Sequence, residues 1–134
     1  MLDASLALAW ALPDEATRYT DEMLERVASA TAWVPPLWPY EIANGLLMAQ
    51  CRHRLTAAQS SAFVDELLKL PIEIEPRSAR TVLETHIGLA TQYTLTAYDA
   101  AYLDLALRRG IPLITQDKAM RAAATKSGVQ LAMP

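Results

Sequence analysis

Cysteine is almost absent: Cys51 is the only one in 134 residues, so no internal disulfide framework can hold the fold. Such usage suits a reducing compartment. Glycine is scarce as well, with four in all, and none has the spacing of a phosphate-cradling loop. His53 and His86 lie far apart, with no Cys or His at metal-ligand spacing, which argues against a zinc site. No apolar run approaches the roughly 20 residues of a membrane span. The opening MLDASLALAWAL lacks the basic start of a signal peptide and carries Asp3 instead. A basic excess is missing too. Twelve Lys and Arg against fifteen Asp and Glu give a net charge of −3, which speaks against a passive nucleic-acid binder. An enzyme acting on nucleic acid stays open, because bound metal and a local basic patch can supply the missing field. These absences lead us to expect a soluble, cytoplasmic protein.

What remains is ordinary globular composition, 52% hydrophobic and 20% charged, enough for one domain over residues 1–134. Short apolar runs alternate with longer helical patterns, which predicts an α/β domain with a mostly parallel sheet. Strands are expected at Met1–Ala4, Ala32–Pro35, Pro71–Glu75, Pro112–Thr115 and Val129–Ala132. Helices are expected at Ser5–Leu12, Glu15–Ala30, Arg77–Tyr93 and Asp117–Ser127. Another should begin near Pro39 and run to about Arg52. Thr56 to Gln59 reads as a capping box, with Phe63, Leu67 and Leu70 on the buried side of its helix. Thr96 to Asp99 opens a helix that Gly110 and Pro112 stop.

Four acids fall where the chain leaves a strand or starts a helix: Asp3, Glu41, Asp99 and Asp117. Each alone reads as a cap or a first-turn acid, satisfying free N–H groups and complementing the helix dipole. The set says more. In a parallel sheet every strand-to-helix turn lies on one edge, where ligands bind in the crevice beyond the strand ends. Two carboxylates about 4 Å apart repel by about 4 kcal/mol at an effective dielectric of 20. A fold that gathers four of them calls for a divalent cation, and Mg²⁺ or Mn²⁺ suits an all-oxygen site.

Ser5 and Thr115 lie two residues from Asp3 and Asp117, close enough for a hydroxyl to orient a carboxylate. Asn44 falls roughly on the face of Glu41. Arg52, Arg54, Lys118 and Arg121 are candidate contacts for a nucleic-acid backbone, with a solvated helix face as the plain alternative for each. Cys51 reads as a buried helical thiol. Asp104 reads as structural or as a support behind the site acids, and Tyr98, Tyr102 and Trp38 as core rather than a base-stacking platform.

The stretches LDASLALAWALPDE, PPLWPYEIANGLL, LTAYDAAYLDLALRRGIPLITQD and KAMRAAA, in this order and spacing, carry a resemblance to a known family. Over essentially its whole length the chain resembles the PIN-domain ribonucleases, most closely the VapC-type toxins of bacterial toxin–antitoxin pairs. The run before Asp3 is shorter than the family's first strand usually is. The resemblance implies a PIN-like three-layer fold, with a short central parallel sheet of five strands in the order 3-2-1-4-5 flanked by helices. That order places Asp3 beside Asp117, on strands about 4.8 Å apart. It implies Asp3, Glu41, Asp99 and Asp117 as the catalytic acids, with Asp3, Asp99 and Asp117 holding Mg²⁺ or Mn²⁺. It also implies Ser5 and Thr115 as their hydroxyl companions, an RNA substrate, a VapB-like antitoxin partner and a homodimer.

Two other readings compete. A catalytically weak domain could act mainly by binding protein or RNA, with a groove formed by the helices over Glu15–Ala30 and Pro39–Leu70. A phosphatase using Asp3 as nucleophile would need a second Asp two residues on, which DASLA lacks.

Overall fold

The computed structural model describes residues 1–133; Pro134, the last residue of the expected domain, lies outside them. Asp3 ends the first extended segment and caps α1, Ala4–Ala9, by accepting a bond from the Ser5 backbone. A 3₁₀ turn at Pro13–Glu15 precedes α2, Arg18–Ser29. That helix starts three residues later than expected, because Thr17 and Thr20 form a reciprocal capping box. Met23 and Val27 form its buried stripe, with Tyr19 half-buried beside them.

After β1, Ala32–Val34, Pro39 sits in the first turn of α3, Trp38–Cys51. The capping box of Thr56 and Gln59 opens α4, Ala57–Leu67, as its sequence predicts. Following β2, Ile72–Ile74, one helical stretch from Ala79 to Tyr93 contains α5, Ala79–Thr81, a π-helical insert at Val82–His86, and α6, Ile87–Tyr93. α7, Ala97–Arg109, ends at Gly110 in the left-handed conformation, and α8, Lys118–Ser127, ends the same way at Gly128.

Five strands were expected, whereas the regular sheet contains two, β1 and β2, paired in parallel with Ala32 opposite Ile72. The other segments contribute single parallel bridges, Leu2 with Ile114 and Leu113 with Leu131. Leu2 N–H also donates to Trp33 C=O at 3.2 Å, and Asp3 N–H to Ile114 C=O at 3.1 Å. These runs are two or three residues long before a proline, a cap or a turn intervenes, too short for a continuous ladder. The result is an α/β fold with a short parallel sheet and surrounding helices.

The core runs through α7, where every residue from Ala100 to Ala106 is buried. The one charge in that buried run, Asp104, accepts bonds from Arg77, Arg108 and His86. Burial would raise that carboxyl, but these donors outweigh it and hold it below the usual aspartate range. Asp104 is structural, as expected. Glu75 binds Arg108 and Arg109, and the Arg109 guanidinium lies 3.2 Å from the Trp33 ring centroid. This network secures α7 to the β2 edge.

Two expectations fail locally. Cys51 is exposed, because it ends α3 on the solvent side. Tyr98 is 66% exposed, since it lies on the outer face of the first turn of α7. Among the described residues, no helix is long and apolar enough to cross a membrane.

Candidate active site

Asp3 accepts the most hydrogen bonds of the four acids. Its Oδ2 accepts bonds from Ser5 Oγ at 2.7 Å and Thr115 Oγ1 at 2.6 Å. Thr115 is fully buried, and its hydroxyl also accepts a bond from Asp117 N–H at 3.1 Å. One threonine therefore ties the end of the first segment to the turn before α8. Of the two hydroxyls named from the sequence, Ser5 and Thr115 both bond the Asp3 carboxylate, and Thr115 meets Asp117 only through its backbone N–H.

Glu41, in the first turn of α3, is half-buried and accepts a short bond from Tyr102 Oη. Burial is the main force raising its pKa above the ordinary glutamate value; the charges of Asp3 and Asp99 raise it further, against the Tyr102 bond. Asp3, Glu41 and Asp99 thus share one electrostatic field. Burial and the neighbouring Glu41 push the Tyr102 phenol far upward, so it stays protonated as a donor. Asp99 Oδ2 accepts from Thr96 Oγ1 at 2.8 Å, while Asp99 N–H donates back to that oxygen at 3.0 Å.

Asp117 holds a different position. Its Oδ1 caps α8 by accepting from Met120 N–H at 2.8 Å, and its link to Asp3 runs through Thr115. The cap and the site reading are compatible here, because a carboxylate has two oxygens. α3 comes close to α1 because position 45 is glycine: a Cβ there would lie 2.3 Å from Leu8 Cδ1. Gly45 lies one turn beyond Glu41, and Leu8 one turn beyond Ala4, so this approach sets how near Glu41 comes to Asp3.

The supporting residues divide. Asn44 is exposed and, among the described residues, no bond joins it to the acids. Arg54 is bound to Asp14 and Glu15 at 2.9 and 2.6 Å. Arg52 caps the far end of α3, roughly 16 Å along the axis from Glu41 at 1.5 Å per residue. Lys118 and Arg121 begin α8, and Arg121 Nη1 reaches Thr115 C=O at 3.4 Å.

Sequence reasoning missed the role of Tyr102, which was read as core. It is core, at 1% exposure, but its hydroxyl serves Glu41. The usable signal was its place on α7, three residues beyond Asp99 on the same face, with a polar tip on an apolar body.

Residues 1–126 match the PIN domain family. The chain belongs to that family. It is 32% identical over 120 residues to Ribonuclease VapC3 of Pyrobaculum aerophilum, with 88% of each chain covered. Its fold is also similar to the crystal structure of PAE2754 from Pyrobaculum aerophilum, with a TM-score of 0.68 at 24% identity. That likeness covers 91% of this chain and 83% of the other.

As donors, the four acids suit one class of ion. All are carboxylates, and Glu41 feels both Asp3 and Asp99, so the set favours a hard divalent cation. Among the described residues no group of three or more His, Cys, Asp or Glu side chains is placed to hold a metal ion. Mg²⁺ needs fewer protein donors than that, since it binds through one or two carboxylates and retains waters.

Proposed function

We propose that this PIN domain is a Mg²⁺- or Mn²⁺-dependent endoribonuclease, the toxin of a toxin–antitoxin pair acting in the cytoplasm. The observation that carries the reading is the shared field of Asp3, Glu41 and Asp99, with Asp117 joined to Asp3 through Thr115. Family membership and the likeness to Ribonuclease VapC3 support it. In this reading the bridges and bonds of the sheet belong to a five-strand, three-layer PIN fold in the order 3-2-1-4-5, which brings the acids to one edge.

Asp3, Asp99 and Asp117 would hold the ion, which when bound acidifies water and offsets charge on the phosphate. The protein's own part is positional. Ser5 and Thr115 fix the orientation of Asp3. Tyr102 holds one oxygen of Glu41, leaving the other to orient and deprotonate an attacking water. Lys118 and Arg121 supply the positive field that the chain as a whole lacks.

A groove of about 530 Å³ between α2 and α4 supports an antitoxin partner. It is lined by Trp10, Leu24, Ala28, Phe63, Leu67 and Leu70, an apolar bed for a helical or extended segment. The exposed pair Leu83 and Ile87, one turn apart, suits contact with a second copy.

The direct test is cleavage of a mixed tRNA and ribosomal RNA pool with Mn²⁺, comparing the parent with Asp99→Asn. Losing one of several coupled catalytic acids should lower the rate at least 100-fold, about 2.7 kcal/mol of transition-state stabilisation. Equal cutting by both proteins would refute the assignment.

A further inference from the structure

We propose that the cleft between α2 and the start of α8 is a nucleotide subsite, holding the base and phosphate next to the scissile bond of a single-stranded RNA. This rests on the nuclease reading above. The cleft measures about 430 Å³ and is lined by Tyr19, Gln116, Lys118, Arg121 and Met133. That volume lies within the roughly 300–1,000 Å³ of small-ligand clefts.

Its charge sets it apart. Among the described residues no carboxylate lines it, and neither Lys118 nor Arg121 has an ion-pair partner. Arg54, Arg77, Arg108 and Arg109 are all committed to acids elsewhere. On a chain of net charge −3, two unpaired cations beside an acidic cluster form a local place for a phosphate.

The cleft is joined to the acids. Arg121 Nη1 lies 3.4 Å from Thr115 C=O, and the hydroxyl of that same threonine lies 2.6 Å from Asp3 Oδ2. A strand whose phosphate sits at Asp3 therefore meets Arg121 within one residue's width of the protein. Tyr19 supplies the remaining element. Its ring is half-buried against the core, and its hydroxyl donates to Ala132 C=O at 3.2 Å, so it presents a fixed aromatic surface. Fixed aromatic side chains beside cations are how proteins hold unpaired bases. The exposed amide of Gln116 offers both a donor and an acceptor for a base edge.

The test is anisotropy of a labelled five-nucleotide single-stranded RNA, in EDTA to prevent cleavage, over a range of salt. Arg121→Ala should weaken binding and reduce the slope of log K against log salt by about 0.7. Tyr19→Leu should weaken binding about 5- to 150-fold at unchanged slope, while Tyr19→Phe, which keeps the ring, should bind like the parent. Mn²⁺ affinity should be unchanged in all three, which separates a lost RNA contact from a damaged metal site. Parent-like binding by a folded Tyr19→Leu would overturn the subsite, as would an unchanged slope in Arg121→Ala. Either result alongside Mn²⁺-dependent cleavage by the parent would leave the nuclease reading standing. A parent that neither binds nor cleaves would remove both.

Discussion

Tyr102 illustrates how much a single buried hydroxyl can do. Its ring fills the core while its O–H satisfies a carboxylate that burial and two neighbouring acids disfavour. Hydrogen bonds to charged groups contribute about 1.5–3 kcal/mol. Tyr102→Phe keeps the ring and removes that donor, so urea unfolding should show a loss of this size and RNA cleavage should slow. Unchanged cleavage would show that Glu41 needs no holder. Glu41 itself has a raised folded pKa. Its protonated form is therefore the one that folding favours, with a benefit present below about pH 4.3 and lost as pH rises through the folded value. Metal-free Glu41→Gln should accordingly melt above the metal-free parent at pH 7, with the gap closing toward pH 4. The acids were legible from sequence because charge at a strand end or helix start is conspicuous. Tyr102 was hidden because an aromatic on a buried helix face looks the same whether or not its hydroxyl has work.

At the scale of elements, the caps were readable and the interruptions were not. Thr56 with Gln59, and the glycines at 110 and 128, stand where local chemistry demands them. The π-helical insert at Val82–His86 and the left-handed Thr94 that ends α6 leave no mark in hydrophobic periodicity. Each expected strand holds a paired or bridged residue, yet Ala4 already belongs to α1 and only two runs became regular, since each is bounded within a few residues. The contact of α1 with α3 is the element-level feature that most affects the site. Gly45→Ala should gain helix propensity, by about 1 kcal/mol, but meet Leu8. We expect net destabilisation and slower cleavage in the single variant, and partial recovery of activity when Leu8→Ala is added. A double-mutant cycle on melting temperature and rate would show the coupling; strict additivity would contradict it.

Across the whole molecule, charges are sorted into two groups with opposite logic. Around Asp104 and Glu75, arginines satisfy each carboxylate and secure α7 to the sheet. Around Asp3, Glu41 and Asp99, hydroxyls orient the carboxylates and no arginine or lysine pairs with them among the described residues. In the proposed reading, repulsion in the second group is what a bound cation relieves. The measurement that tests this most directly is the melting temperature of metal-free protein titrated with Mn²⁺, for the parent and for Asp3→Asn. Asparagine caps a helix about as well as aspartate, so the variant loses charge without losing the cap on α1. An ion that binds only the folded state stabilises it by about 2.7 kcal/mol at 100 times its Kd. The account predicts a clear saturable rise for the parent and little or none for Asp3→Asn. An equal rise in both, or none in the parent, would contradict it.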